Sequence, residues 1–310
     1  MKFLKLIRYQ NLVFIALIQA VFHFGFLKQQ TGLLLALNDL EFILLIISTI
    51  CIAAAGYIIN DIIDCKNDTI VKPNKVIIGN HISENMAYNF YIVLNIIGVG
   101  IGFYIANIVF KENFVAVFIV IAFLIYIYTT QFKQSLLAGT FLVSFLMAFS
   151  LLLVGIFDLY PIISNENRPF LGVLFQILID YAVLVFLLTF ILNLIGDLEN
   201  YNDDLKTGVN TLPVLYGKEK TQKLIFGLSF IPLIILLYYL NANFIHLEYV
   251  IYYTLALVIG PLLYCIIKIW QAKSQQDFKR LTLVLKFIVL TALFSIAIIT
   301  YNLNNLPIIE

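Results

Sequence analysis

The chain has 310 residues, of which 62% are hydrophobic and only 12% charged; an ordinary soluble domain carries roughly 45–50% and about a quarter. Its formal net charge is +1, so no bulk field draws polyanions. These values exclude a soluble globular domain, a disordered segment and a nucleic-acid binder, and they predict a polytopic, all-α membrane protein.

The opening residues MKFLKLIRYQ run at once into an apolar stretch that continues to Leu27. That stretch ends in HFGFLKQQ rather than at a small-residue cleavage site, which predicts a first spanning helix kept in the mature protein and not a signal peptide. Apolar runs follow at about 40–60, 88–109, 114–130, 136–157, 172–196, 222–241, 248–270 and 281–301. Together with residues 11–27 they make nine spans of about 20 residues, the length a bilayer core requires. Cytoplasmic loops carry an excess of Lys and Arg. With a cytoplasmic N-terminus, sixteen of the 19 basic residues fall inside and only Lys28, Lys111 and Arg168 outside. No linker or low-complexity stretch divides residues 1–310, so a single domain is expected. Cys51, Cys65 and Cys265 are scattered without a CxxC pair and read as small core hydrophobes.

Two inside segments, about 61–87 and 197–221, are long and hold most of the acidic residues. The first begins Asn60-Asp61-Ile62-Ile63-Asp64-Cys65-Lys66-Asn67-Asp68, with aspartates at i, i+3 and i+7. If the second span continues as helix, all three lie on one face. Convergent carboxylates repel one another and are costly to desolvate without a counter-charge. Hard oxygen ligands in that pattern suit Mg²⁺, which takes one or two carboxylates together with substrate phosphates. Asp197, Asn200 and Asp204 repeat the spacing at the end of the sixth span, with Asn193 one turn earlier and Glu199 and Asp203 nearby. Two like-spaced sets on one side of the membrane point to two divalent ions that neutralise a diphosphate and make it a leaving group.

These residues resemble the motifs of the UbiA superfamily of intramembrane prenyltransferases. Asn60 to Asp68 fits its NDxxDxxxD signature, and Lys72-Pro73-Asn74-Lys75 with Gly79 resembles the continuation. The stretch DLENYNDDLKTGVNTLP, Asp197 to Pro213, resembles the second motif, DxxDxxxD followed by G…TLP. Tyr128-Thr129-Thr130-Gln131-Phe132-Lys133, then Gly139, resembles the YSxxLK…GN segment, and Arg8 with Asn11 matches an RxxN pair. Asn200 departs from the pattern where an aspartate is usual. It can still give a carbonyl oxygen to a cation, with Glu199 or Asp203 expected to compensate for the missing charge.

The resemblance implies nine helices around a central, lipid-accessible cavity and transfer of an isoprenoid chain from a polyprenyl diphosphate to a lipid or aromatic acceptor. It implies Mg²⁺, two ions, held by Asp61, Asp64, Asp68, Asp197 and Asp204. Asp64, Lys133 and Asp197 are the expected catalytic residues. Arg8, Asn11, Asn60, Lys72, Lys75, Tyr128, Thr129, Lys133 and Asn200 are expected to bind the diphosphate. The expected location is a bacterial inner membrane with the site on the cytoplasmic side. The KPNKVIIG continuation resembles a subgroup acting on geranylgeranylglyceryl phosphate more than members carrying an RxxRP run, whose acceptors are aromatic quinone precursors. A prenyl-lipid-binding protein without turnover and a membrane transporter are the alternatives. Asp180 lies within an apolar run, 17 residues before Asp197, and is expected to be a solvated residue near the outer interface.

Overall fold

A computed structural model describes residues 2–71, 73, 76–132, 137–244 and 246–304; the side chains of residues 66–68, 70 and 71 lie outside that description. Thirteen α-helices follow in chain order: α1 (Lys2–Leu6), α2 (Tyr9–Gly25), α3 (Asp39–Val71), α4 (Glu84–Ile108), α5 (Val115–Ile127), α6 (Ala138–Asp158), α7 (Arg168–Thr207), α8 (Leu212–Tyr216), α9 (Lys218–Leu228), α10 (Phe230–Asn243), α11 (Glu248–Thr254), α12 (Gly260–Gln271) and α13 (Gln275–Asn304). Among the described residues they make nine stretches long and apolar enough to cross a membrane, from Tyr9–Gln29 to Gln275–Asn304, matching the nine apolar runs. The edges differ most at two places. α3 and α7 continue 11 residues beyond the predicted ends at 60 and 196, to Val71 and Thr207. Apolar runs mark only the part of a helix in hydrocarbon. At 33 and 40 residues these helices reach about 50 and 60 Å at 1.5 Å per residue, well past a core of about 30 Å.

The chain divides into two compact units, Met1–Ala20 with Leu34–Leu178, and Val21–Leu33 with Ile179–Glu310. In the first, a Cβ on Gly98 of α4 would stand 2.6 Å from Ile52 Cγ1 and 3.1 Å from the Ser48 carbonyl of α3. Only hydrogen fits there, and Ser48 Oγ donates to the Gly98 carbonyl at 2.6 Å. One turn on, Gly102 receives the ring of Phe118 from α5. Close approach through small residues and hydroxyl-to-carbonyl bonds is how helices adhere in lipid, where apolar side chains gain little by leaving it. Gln19 Nε2 adds a polar tie, donating to Thr49 Oγ1 at 3.1 Å and the Ser150 carbonyl at 3.0 Å.

In the second unit, Pro261 explains why α11 and α12 are joined by a π turn, Leu255–Ile259. Proline has no N–H for the carbonyl four residues back, that of Leu257. Thr291 Oγ1 of α13 supplies the missing donor at 2.8 Å, and Tyr253 Oη donates to the Thr291 carbonyl at 2.9 Å. Gln222 of α9 donates to the Ile269 and Ala272 carbonyls at the end of α12, satisfying acceptors that a helix terminus leaves open.

Candidate functional site

The first acidic motif is helical. Tyr57, Asn60, Asp61 and Asp64 fall at i, i+3, i+4 and i+7 of α3 and share a face. The opposite face buries Ile58, Ile59 and Ile62 with Leu6 of α1, Ile78 and Ala87, which fixes the rotation of the helix. Asn60 is buried, and its amide donates to Asp64 Oδ2 at 2.9 Å and toward Asp61 Oδ1 at 3.5 Å. One neutral donor thus gathers two carboxylates that would otherwise repel. Arg8 Nη2 reaches Asp61 Oδ1 at 3.0 Å, and the guanidinium lies 5.2 Å from the centre of the Tyr57 ring. Asn11 sits against the same tyrosine. Arg8 has a φ of 49°, in the left-handed region that costs a non-glycine residue about 1–2 kcal/mol; it breaks α1 from α2 and aims the guanidinium at α3. The expected Arg8, Asn11, Asn60, Asp61 and Asp64 are therefore together. Tyr57 was not among them, although its position one turn before Asn60 and Asp61 is a signal that could have found it.

Residues around the motif hold this end in place. Lys2 Nζ is 3.0 Å from His81 Nε2, Phe3 packs on Phe90 at 4.9 Å, and Gly79 N donates to the Ile82 carbonyl at 2.8 Å. Tyr128–Phe132 forms a π turn that packs against α3. Thr129 is buried there, with its single hydroxyl proton given to the Tyr126 carbonyl at 2.8 Å. In this arrangement it can accept but not donate. Lys72, Lys75, Lys133 and the side chain of Asp68 lie outside the described residues.

In the second unit, Asp197, Asn200 and Asp204 share a face of α7. The Asn200 amide nitrogen donates to the Gly196 carbonyl at 3.0 Å, which leaves the side-chain oxygen as its ligand atom. Thr211 Oγ1 donates to Asp204 Oδ2 at 3.3 Å, so the TLP segment folds back on the last carboxylate. Glu199, one of the two residues expected to compensate for the charge that Asn200 lacks, is engaged by another helix. Its carboxylate accepts from Thr282 Oγ1 at 3.1 Å and its carbonyl from Gln275 Nε2 at 3.0 Å, both on α13; at two residues from Asp197, a helix turns it onto another face. Lys218 lies between the rings of Tyr201 and Phe278, at 5.4 and 5.5 Å. Asp180 also differs from expectation: it is half-buried and accepts from Tyr239 Oη at 2.9 Å.

Both acidic sets consist of hard oxygen donors. Among the described residues no three His, Cys, Asp or Glu side chains gather closely enough to hold a metal unaided. One or two carboxylates per set, completed by phosphate oxygens and water, is the donor set that suits Mg²⁺, and the residues fit that ion.

Among the described residues, nine stretches long and apolar enough to cross a membrane, two of them with acidic extensions, define a multi-pass integral membrane protein. Residues 21–291 match the profile of the UbiA prenyltransferase family, and the chain belongs to that family. It is a prenyltransferase. It is 31% identical over 211 residues to the digeranylgeranylglyceryl phosphate synthase of Sulfolobus acidocaldarius, covering 66% of this chain and 68% of that relative. To the synthase of the same name from Methanosphaera stadtmanae it is 27% identical over 260 residues, 82% of this chain and 86% of the relative. The solved structure of a UbiA homolog from Archaeoglobus fulgidus bound to GPP and Mg²⁺ is similar with a TM-score of 0.63 at 17% identity, covering 96% of this chain and 99% of that one. An apo UbiA homolog from Aeropyrum pernix K1 gives 0.67 at 14% identity, over 91% and 96%. The structural likenesses carry the fold.

Proposed function

We propose that the protein transfers a prenyl chain from an allylic polyprenyl diphosphate to the hydroxyl of a glyceryl phosphate lipid, and that its two acidic sets serve one diphosphate. The observation that carries this is the cluster on α3, where the Asn60 amide draws Asp61 and Asp64 together and Arg8 stands beside them. The repeat of the same spacing at Asp197, Asn200 and Asp204 on the other long helix supports a shared role. The lysine and arginine bias supports a cytoplasmic N-terminus and a cytoplasmic location for both helix extensions. The names of the two synthase relatives support the acceptor class.

Asp61, Asp64 and Asp68 of α3, and Asp197 and Asp204 of α7, would hold two Mg²⁺ ions, with Asn60 and Asn200 as neutral oxygen ligands. Bound there, Mg²⁺ supplies positive charge to the diphosphate oxygens. Arg8 adds a planar fork of donors matched to phosphate oxygens, and Lys72, Lys75 and Lys133 add point charges. Breaking the allylic C1–O bond sends its electron pair to the diphosphate, where these donors stabilise the charge as it develops. The acceptor hydroxyl oxygen then forms the new C–O bond with C1, and its proton goes to the released diphosphate, the base that the reaction itself supplies. Asn60 orients the carboxylates throughout, and its own amide proton never leaves.

The test is transfer by the purified protein in detergent, with radiolabelled geranylgeranyl diphosphate and a panel of geranylgeranylglyceryl phosphate and aromatic acceptors. Expected are lipid product with Mg²⁺, none with EDTA, and loss in Asp64→Ala and Asp197→Ala alike. Product on an aromatic acceptor alone would overturn the acceptor class. Asp197→Ala transferring at the wild-type rate would overturn the shared role. Metal-dependent donor binding without turnover on any acceptor would favour a retained lipid-binding protein, the reading that the Asn200 replacement keeps open.

A further inference from the structure

Within the second unit, away from its acidic motif, α7, α10, α11 and α13 leave a half-open cleft of about 150 Å³. Asp180 in its wall precedes Asp197 by 17 residues on one continuous helix, about 25 Å along the axis, so the cleft is separate from the residues proposed for the diphosphate. Its wall is mostly aliphatic, and two wall residues, Val183 of α7 and Ile235 of α10, are 46% and 38% exposed. Both belong to stretches long and apolar enough to cross a membrane, so the open side faces lipid chains rather than water.

Thr254 brings to this wall a hydroxyl proton that nothing uses. A helical threonine commonly gives that proton to the carbonyl one turn back, as Thr189, Thr221 and Thr300 do at 2.6, 3.0 and 2.8 Å. Thr254, the last residue of α11, is only 7% exposed, and among the described residues its hydroxyl has no hydrogen-bond partner. The other hydroxyls of the wall are spent. Tyr239 Oη donates to Asp180 Oδ2 at 2.9 Å. Ser295 Oγ donates to the Ala292 carbonyl at 2.6 Å, which makes Tyr181 Oη the donor in the 2.6 Å bond between Tyr181 and Ser295. A donor held away from water without an acceptor is costly, and a ligand that brings an acceptor removes that cost.

The depth of Thr254 narrows the ligand. It lies six residues from Glu248 at the start of α11, about 9 Å along the axis. The exposed, charged Glu248 belongs among head groups, a layer about 5–7 Å deep on each side of the hydrocarbon core. The threonine therefore falls near the boundary of that core, where the ester carbonyls of glycerolipids meet their chains. An apolar space of about 150 Å³ takes a guest the size of benzene, or about six chain carbons.

We infer that the cleft binds one ester-linked acyl chain of a bilayer glycerophospholipid, with the ester carbonyl accepting from Thr254 Oγ1 and the first carbons against the aliphatic wall. The remainder of the chain and the head group stay outside. An ether-linked chain of equal length meets the same wall without a carbonyl, so the ester linkage is what the site selects. The inference rests on residues of the second unit alone, and its test reads binding rather than transfer, so it stands or falls independently of the proposed reaction.

The experiment is native mass spectrometry of the full chain released from nanodiscs of dioleoylphosphatidylcholine and its dioleyl ether analogue in equal parts, two lipids that mass resolves. A retained lipid is expected, the ester form over the ether about threefold, the worth of a single hydrogen bond in lipid. Thr254→Val removes the hydroxyl, keeps the shape, and should abolish that preference. Val183→Trp fills the mouth from the lipid-facing side and should leave the protein with one retained lipid fewer. Equal retention of ester and ether by the unaltered protein would overturn the inference, as would a preference unchanged in Thr254→Val or a full lipid complement in Val183→Trp. Protein released without lipid would eliminate the site. The ester–ether comparison on the unaltered protein keeps the inference open to refutation even if neither variant folds.

Discussion

Replacing Arg8 by glycine separates the strain at this residue from its proposed role at the diphosphate. Three stability contributions are visible. The left-handed backbone at φ 49° costs about 1–2 kcal/mol in any residue with a Cβ, and glycine removes that cost while losing about 0.5–1 kcal/mol through its greater freedom when unfolded. The ion pair with Asp61 joins a side chain 47% exposed to one 23% exposed, so solvent screening limits it to about 0.2–1 kcal/mol. The contact with Tyr57, 5.2 Å from ring centre, adds about 0.5–1 kcal/mol. Gains and losses then balance to within about 1 kcal/mol, so Arg8→Gly should unfold thermally in detergent close to the wild type. Arg8→Ala loses the same contacts and keeps the strain, and should be the less stable of the two by about 1 kcal/mol. Transfer should fall about a hundredfold in both, the usual loss when one preorganised donor to a developing negative charge is removed. An alanine variant as stable as the glycine variant would refute the strain argument. A glycine variant with undiminished transfer would refute the assignment of Arg8 to the diphosphate.

Other sites yield simpler tests. Gly98→Val must push α4 from α3, and should destabilise by about 1–3 kcal/mol, read as a lowered midpoint in detergent; an unchanged midpoint would mean that the helices separate freely. Thr291→Val leaves the Leu257 carbonyl without its donor and should cost about 0.6–1.7 kcal/mol. Adding Pro261→Ala restores a backbone N–H and should recover part of that loss, and a double variant no better than Thr291→Val would dismiss the proline explanation of the π turn. Glu199→Ala and Thr282→Val, alone and combined, should show a coupling of about 0.5–1 kcal/mol in stability. Strict additivity would show that the α7–α13 bond contributes nothing.

Composition and apolar runs alone determined the helical class, the nine spans and the two acidic sets, because transfer into lipid is a property of each residue that sums along the chain. The spacing of Asn60, Asp61 and Asp64 already implied a common face, since helix periodicity needs no partner. Other features depended on which helix lies against which. Tyr57 under Arg8, the buried Asn60 amide gathering two carboxylates and the Thr129 proton spent on Tyr126 are contacts of geometry rather than of pattern. Helix periodicity already turns Glu199 off the face of Asp197, but that its partner there is Thr282 follows only from the packing of α13. Asp180 reads locally as a solvated acid, and becomes the wall of a cavity because Tyr239 arrives from a helix 59 residues away in sequence. Hydropathy is local and additive, whereas a side chain's partner is set by tertiary contacts between segments far apart in the chain.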